Sequence, residues 1–392
     1  MVEKTGTNAF KISGRIDANN AKQFETELLA DVNAREDVVI DASELEYISS
    51  AGLRVFLKLK KMTKGSVDVA EVSNEVYDIF DVTGFTNLLN VKKRLRNVDV
   101  EGCEVIGEGA NGKVYRIDPE TIIKVFASGV PLKTVQEERD FAQAAFVAGV
   151  PTAISYDVVK CGDCYGAVYE MLDAKTMAQT IKENPDKAEA YGTMMGKLLK
   201  ELHHTQADTK VLNNISKLYA ERVEFMRRYC TDAEIDKLKR IYEALPERST
   251  ILHGDYHAKN IMLVNDEPTF IDMGDVGFGH PFFDIGGSFL GMVHIGLTNP
   301  AIVERYIGIN YDLALKAWDA MLHEYFGAEN VEEAKKLAEI YGRAKYALTP
   351  AFYTKMTEDM AKHLVEGVRA TGIFTDKFDV SGLSQSKLIK EI

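Results

Sequence analysis

The 392-residue chain sets 47 Lys and Arg against 60 Asp and Glu, a formal charge of −13, with 46% hydrophobic residues and only 9 Pro. At about 150 residues per domain this length predicts two to three domains with cores of their own, and the composition excludes disorder and collagen-like repeats. The acidic balance argues against nucleic acid or an anionic membrane as partner. No apolar run approaches the roughly 20 residues of a membrane span, and the opening MVEKTGTNAFKISG lacks the apolar stretch of a secretion signal. The expected location is therefore cytoplasmic.

In chain order, Phe10 to Ile16 alternates apolar and polar residues and predicts a strand, with Asp17 capping a helix over Ala21 to Leu29. Val38-Val39-Ile40 predicts a short buried strand. Leu53, Phe56, Leu57 and Leu59 recur at helical spacing, Val67 and Val69 begin a further strand, and Val76, Ile79 and Phe80 mark another amphipathic helix. Residues 1–98 thus have the rhythm of an α/β domain. After the basic, polar stretch Lys92 to Asn97 the pattern restarts at Val105-Ile106-Gly107, which puts a boundary near residue 98. Residues 99–172 read as strands with one helix, Val135 to Val147. Residues 173–392 read as mostly helical, including Ala188 to His204, Ala233 to Leu245 and Val331 to Leu348. A strand-rich lobe followed by a helical lobe implies a cleft, where ligands bind.

Four cysteines at this length do not make a disulfide framework. Cys161 and Cys164 form a CxxC, but Gly162 and Asp163 between them suit a hairpin turn, and no second CxxC completes a zinc site.

Gly107-Glu108-Gly109-Ala110-Asn111-Gly112-Lys113-Val114 is a GxGxxGxV run between apolar strand residues. Glycines at 107, 109 and 112 let a tight hairpin bring backbone N–H groups onto phosphate oxygens, and a strand rather than a helix after the run excludes the dinucleotide-binding alternative. The next strand, Thr121 to Phe126, surrounds Lys124 with apolar residues; an ammonium there needs anions, which ATP phosphates and a helical carboxylate supply. Glu138 is the preferred carboxylate because Phe141, Ala142 and Ala145 make its face the inward one, with Glu137 the alternative. In His253-Gly254-Asp255-Tyr256-His257-Ala258-Lys259-Asn260, an Asp and an Asn five positions apart divide the work. Asp255 orients an attacking hydroxyl and Asn260 ligates Mg²⁺. Asp272, after Phe270-Ile271, suits bridging Mg²⁺ to the phosphates. The ordered joint occurrence of these four parts carries the argument, since single turns and caps imitate any one of them.

On these motifs, residues from about 100 to 392 resemble the aminoglycoside phosphotransferase-like branch of the protein-kinase fold, which includes choline and homoserine kinases. HGDYHAKNIML is similar to the branch's HGD-x-H-x-x-N loop and IDMGDVGFGHPFFDIG to its ID-x-GD…G-x-P-x-x-D segment; the HRD, DFG and APE of protein kinases are absent. Ala258, Lys259 and Met273 depart from the branch's usual Pro, Gly and Trp, which bears on subfamily. The resemblance implies an α+β bilobal fold, a β-rich N-lobe over 99–172 and a helical C-lobe over 173–392. It also implies that His253 and Asp284 brace the catalytic loop and that the Glu170 carbonyl and Leu172 N–H bind the adenine edge. The implied activity is ATP- and Mg²⁺-dependent phosphoryl transfer to a hydroxyl of a small molecule of the aminoglycoside, choline-like or sugar class. His203 and His204 are expected as C-terminal histidines favoured by the helix dipole. Asp319, Glu324, Glu332, Glu333 and Glu358 offer charge to a cationic substrate, and solvated helix faces account for them at least as well.

Residues 8–97, through GRIDANNA, VVIDASELEYISSAGLR and IFDVTGFTNLL, resemble the STAS domain of anti-sigma-factor antagonists. In Ile48-Ser49-Ser50-Ala51-Gly52-Leu53 the hydroxyls suit helix capping; the resemblance makes Ser50 the position of a phosphorylation switch and, more generally, the module a protein or ligand interaction module. A second reading has the kinase-like part acting on a protein Ser, including Ser50. A third is an idle scaffold, against which the intact Lys124, Asp255, Asn260 and Asp272 argue.

Overall fold

Alternation along the early strands sends Phe10, Ile12 and Ile16 to one side and polar neighbours to the other. In a computed structural model, which describes residues 1–109, 112–353, 356–375 and 378–392, the chain divides into two compact units, Met1–Val98 and Asp99–Ile392.

In the first unit, five strands lie in sequence order: Val2–Gly6, Ala9–Ile16, Val38–Ile48, Val67–Val72 and Asn90–Lys93. The first pair is antiparallel and the others parallel. Parallel neighbours need crossovers, supplied by helices Ala21–Leu29, Ser50–Met62 and Asn74–Val82. Phe10, Ile40, Leu28, Phe56 and Phe80 fill the core, Phe56 meeting Phe80 edge-on at 5.3 Å. Two local expectations differ. The strand begun by Val38 runs eleven residues, its second half pairing with Ala9–Ile16 alone, and Val39 is exposed because alternation turns it to the face opposite the buried Val38 and Ile40. Asp17 does not cap: its carboxylate accepts the Asn19 N–H at 2.8 Å, and Asn20 stands at the cap position without a side-chain cap bond.

In the second unit, strands Ser155–Cys161, Cys164–Glu170, Thr121–Phe126, Gly112–Arg116 and Glu104–Gly109 pair antiparallel in that order, and helix Leu132–Val147 packs on the first two. Cys161 and Cys164 sit opposite each other across a turn with Gly162 at φ 58°, both thiols free. The rest is helical apart from short strands. Ala188–His204 packs on Tyr311–Phe326, and Phe282–Met292 on Val331–Ala347. Leu198, Leu202, Phe282, Trp318 and Tyr341 belong to this unit's core. Among the described residues, no helix is long and apolar enough to cross a membrane.

Candidate active site

The glycine hairpin joins Glu104–Gly109 to Gly112–Arg116, with Gly109 opposite Gly112; Ala110 and Asn111 lie outside the described residues. A Cβ on Gly112 would stand 2.0 Å from the Val125 carbonyl oxygen, so this strand passes its neighbour closely only as glycine. Gly107 and Gly109 are not required in this way: a Cβ on Gly107 would make only an ordinary 3.6 Å contact with Val114, and one on Gly109 would meet nothing within 4 Å.

One strand further, Lys124 lies opposite Val114 on one side and Ala167 on the other. Its Nζ donates to Glu138 Oε1 at 2.8 Å and to Asp272 Oδ1 at 2.7 Å, and its side chain is 14% exposed. Glu137 instead pairs with Lys133 at 3.5 Å on the solvent side of the same helix. Burial alone would lower the Lys124 pKa, but the two carboxylates more than offset it and hold the ammonium well above its ordinary range. Glu138 is itself pushed up, by burial and by the second carboxylate, Asp272, against the pull of Lys124. Tyr169 adds a donor to Glu138 Oε1 at 3.1 Å. Period-2 spacing puts Tyr169 on the same strand face as Ala167, opposite Lys124, and that spacing is the signal in the sequence that marks it.

Asp272 follows strand Glu267–Phe270 in the left-handed region, φ 58° and ψ 59°, which aims a half-exposed carboxylate at Lys124. Asp255 and Asn260 occupy the loop between strands Ile251–Leu252 and Ile261–Val264. Asn260 Nδ2 donates to the Asp255 carbonyl at 3.0 Å and approaches Asp255 Oδ2 at 3.4 Å. His257 Nε2 stands 3.4 Å from the same Oδ2, and Tyr306 donates to Oδ1 at 2.6 Å. Burial opposes ionisation of Asp255; His257, Tyr306 and the nearby Lys345 outweigh it and keep the carboxyl far below its ordinary range.

The loop is held from behind. Asp284, in the first turn of helix Phe282–Met292, accepts the His253 and Gly254 N–H groups at 2.7 Å each. His203 Nε2 lies 3.2 Å from Asp284 Oδ2, and its Nδ1 lies 2.8 Å from the Tyr325 hydroxyl. The helix-dipole expectation for His203 therefore gives way to a buried bracing role, because residue 203 falls on the inward face of Ala188–His204; His204 stays exposed, 2.6 Å from the Lys200 carbonyl. Gly254, at φ 85°, leaves no room for a side chain: a Cβ would meet the Asp275 carbonyl oxygen at 2.3 Å. Lys345 donates to the Gly254 carbonyl at 3.1 Å from a position one turn past Tyr341 on the inward face of Val331–Ala347.

Glu170 ends its strand with its carboxylate accepting the Ile154 N–H at 2.7 Å, and the Leu172 carbonyl accepts from the Ala174 N–H. The acidic C-terminal residues are not gathered at Asp255. Asp319 pairs with Lys335, Glu332 with the same Lys335, and Glu358 with Lys362, all on solvated faces. In the first unit, Ser49 stands at the cap of Ser50–Met62 without a side-chain cap bond, its hydroxyl unpartnered among the described residues, while Ser50 is the first helical residue and exposed.

A strand-rich lobe carrying a glycine hairpin and a paired Lys, over a helical lobe carrying an Asp/Asn loop, is a kinase-like fold. By family model, residues 102–333 match the phosphotransferase enzyme family, and the chain belongs to it. Residues 1–98 match the STAS domain. Over 84 residues, 20% of this chain and 72% of the relative, that part is 38% identical to a putative anti-sigma factor antagonist, BtrV, of Bordetella bronchiseptica. It is 28% identical over 86 residues, 21% of this chain and 79% of the relative, to the anti-sigma-B factor antagonist of Bacillus subtilis. Among solved structures, the gentamicin complex of APH(2'')-IIa is similar at 16% identity and TM-score 0.48, covering 77% of this chain and 98% of that one. Choline kinase LicA of Streptococcus pneumoniae is similar at 12% identity and TM-score 0.44, covering 77% and 99%. At such scores the likeness adds nothing to the site geometry.

Proposed function

We propose that this phosphotransferase takes the γ-phosphoryl group of ATP, with Mg²⁺, to a hydroxyl of a small molecule, and that its STAS domain regulates it or docks a protein partner. The observation that carries this is Lys124 strung between a helical carboxylate and Asp272, within one unit that also links Asp255 to Asn260. In that reading the acceptor hydroxyl donates to Asp255, its oxygen forms the new bond to phosphorus as the bond to ADP breaks, and Asp255 takes the proton. Lys124, positioned by Glu138, neutralises the α- and β-phosphates, and the backbone at Gly107, Gly109 and Gly112 covers them. The Glu170 carbonyl and Leu172 N–H receive the adenine; among the described residues no hydrogen bond engages that N–H.

The donor set fits Mg²⁺. Asn260 turns its N–H₂ to Asp255, which leaves Oδ1 for a cation, and the second oxygen of Asp272 accepts no hydrogen bond among the described residues. No three His, Cys, Asp or Glu side chains gather as a cage among the described residues, and none is needed where phosphate and water complete the shell. Bound Mg²⁺ would draw charge off the phosphates.

Incubation with γ-labelled ATP and Mg²⁺, alone and with a panel of amino alcohols, sugars, nucleosides and aminoglycosides, tests the proposal. Label in a small product supports it. Label in protein, Ser50 included, replaces it with the protein-kinase reading, and binding of MgATP without any transfer across the panel counts against it.

A further inference from the structure

The acceptor's place on Asp255 is already taken by a hydroxyl of the chain itself. Tyr306 donates to Oδ1 at 2.6 Å, inside the 2.5–2.7 Å range of a charge-assisted O–H···O⁻ bond, whereas Oδ2 meets Asn260 and His257 at 3.4 Å each. Oδ1 is thus the oxygen at which Asp255 receives a hydroxyl donor.

The seat of Tyr306 is built but open. Its ring meets His257 edge-on at 5.1 Å and lies over Gly291, where a Cβ would come within 3.0 Å of Tyr306 Cε1. Yet the residue is 42% exposed, on the short helix Pro300–Ile307. Val303 and Ile307 anchor that helix in the core, and Glu304 pairs with Lys182 at 2.8 Å on its outside. A rotamer change of Tyr306 would therefore free Oδ1 while Val303 and Ile307 keep the helix anchored, at the cost of one hydrogen bond, the ring contact with His257 and the cover over Gly291.

We infer that the Tyr306 phenol holds the acceptor's place on Asp255 until a substrate hydroxyl exchanges for it, which bars water from the base and makes Tyr306 a determinant of which hydroxyls enter. The inference rests on Asp255 being the group that orients the acceptor. Water is the smallest hydroxyl donor, and a phosphotransferase with an open base spends ATP on it. A phenol that must be displaced raises that barrier for water, which brings no other binding contacts, more than for a substrate held elsewhere in the cleft.

The test needs no identified substrate, because water is the probe. ADP release from MgATP is measured on the full chain without added acceptor, with MgATP affinity and thermal midpoint measured in parallel. Tyr306→Phe keeps the ring on His257 and Gly291 and removes only the hydroxyl. Acceptor-free ADP release is expected to rise about tenfold, the competition lost with one charge-assisted hydrogen bond, at unchanged MgATP affinity. Adding Asp255→Asn to Tyr306→Phe should abolish the gain. Release at or below the wild-type rate, in a variant with wild-type MgATP affinity and midpoint, overturns the inference while leaving the proposed function standing. Phosphate found on Tyr306 overturns it too, by making the phenol an acceptor. Absence of MgATP binding to the wild-type chain removes the proposed function and the inference together.

Discussion

The two units bury different chemistry. Among its described residues Met1–Val98 buries only Asn8 and Thr63 of polar type, whereas Asp99–Ile392 buries Glu138, His203, His253, His257, Asn260, His280 and Asp284 among others. Burying an ionisable group costs free energy unless partners are positioned for it, so these groups are supported by networks rather than by packing alone. The first unit keeps its charges at the surface, where whatever it recognises must be read. The second carries its chemistry inside, where a single lost partner is expensive.

The largest effect expected on the interior site is on turnover. Asp255→Asn keeps the shape of the loop but removes the proposed proton acceptor, so transfer to the true acceptor should fall by about 10²–10⁴-fold, with MgATP affinity changed only a few-fold. Steady-state rates beside nucleotide titration decide it. A variant that keeps more than about a tenth of wild-type turnover would show that Asp255 is not the base.

Next in size is a contrast in stability between the units. Asp284→Ala strands the His253 and Gly254 N–H groups and leaves His203 with Tyr325 only, so denaturant unfolding should show a loss of about 3–5 kcal/mol. Thr63→Val, at a buried polar position of the first unit whose hydroxyl has no partner among the described residues, should be neutral or slightly stabilising. Equal costs at the two sites would erase the distinction drawn between the units.

Acid should separate the units as well, because all eight histidines lie beyond residue 98. His280 is fully buried between Ile389, whose carbonyl lies 2.8 Å from Nε2, and Phe282, whose N–H donates to Nδ1. A ring that accepts at one nitrogen is neutral, and burial lowers its pKa from 6.5 to about 4. The unfolded chain therefore takes up a proton near pH 6.5 that the folded chain refuses until about 4, and protons favour unfolding between those values. Stability of Asp99–Ile392 should fall as pH drops through this window, by up to about 3 kcal/mol from His280. His253 and His294, also lowered by burial, act in the same sense. Unfolding midpoints from pH 7 to about 4.5 check this, and His280→Gln should flatten the slope. An unchanged slope in that variant would clear His280 of the effect.

Much of this was legible in the sequence, for physical reasons that also mark where legibility ends. Strand and helix periods reveal the α/β unit and the strand-rich then helical order, because burial on one face repeats every two or 3.6 residues. Lys124 stood out as a lone cation in an apolar strand, and helical offsets favoured Glu138 over Glu137. Residues that act through distant partners left weaker traces. Tyr306 reaches Asp255 across 51 positions and His203 reaches Asp284 across 81, and neither local pattern records the partner. Capping misled at Asp17 and Ser49, where a turn and a bare N-terminus replaced the expected side-chain bond; composition permits such bonds but does not select among them.

The smallest expected effect on stability belongs to the surface of the first unit. Ser50 is exposed and opens helix Ser50–Met62, so a carboxylate there meets unpaired N–H groups and the positive end of the helix dipole. Ser50→Glu should therefore leave the fold intact, with a stability change within about 1 kcal/mol, far below that of Asp284→Ala. Its consequence should appear in recognition, since a partner docked on this helix start must desolvate or oppose the added charge. Pull-down from native lysate with the wild-type and Ser50→Glu chains, beside mass spectrometry of Ser50 after incubation with MgATP, separates the cases. Partners lost on substitution make the exposed helix start the docking surface of the STAS domain, and phosphate on Ser50 makes it a switch. Identical partners and an unmodified hydroxyl would leave Ser50 an ordinary helix-start residue, and the switch and the docking role proposed for this helix start would both be dropped.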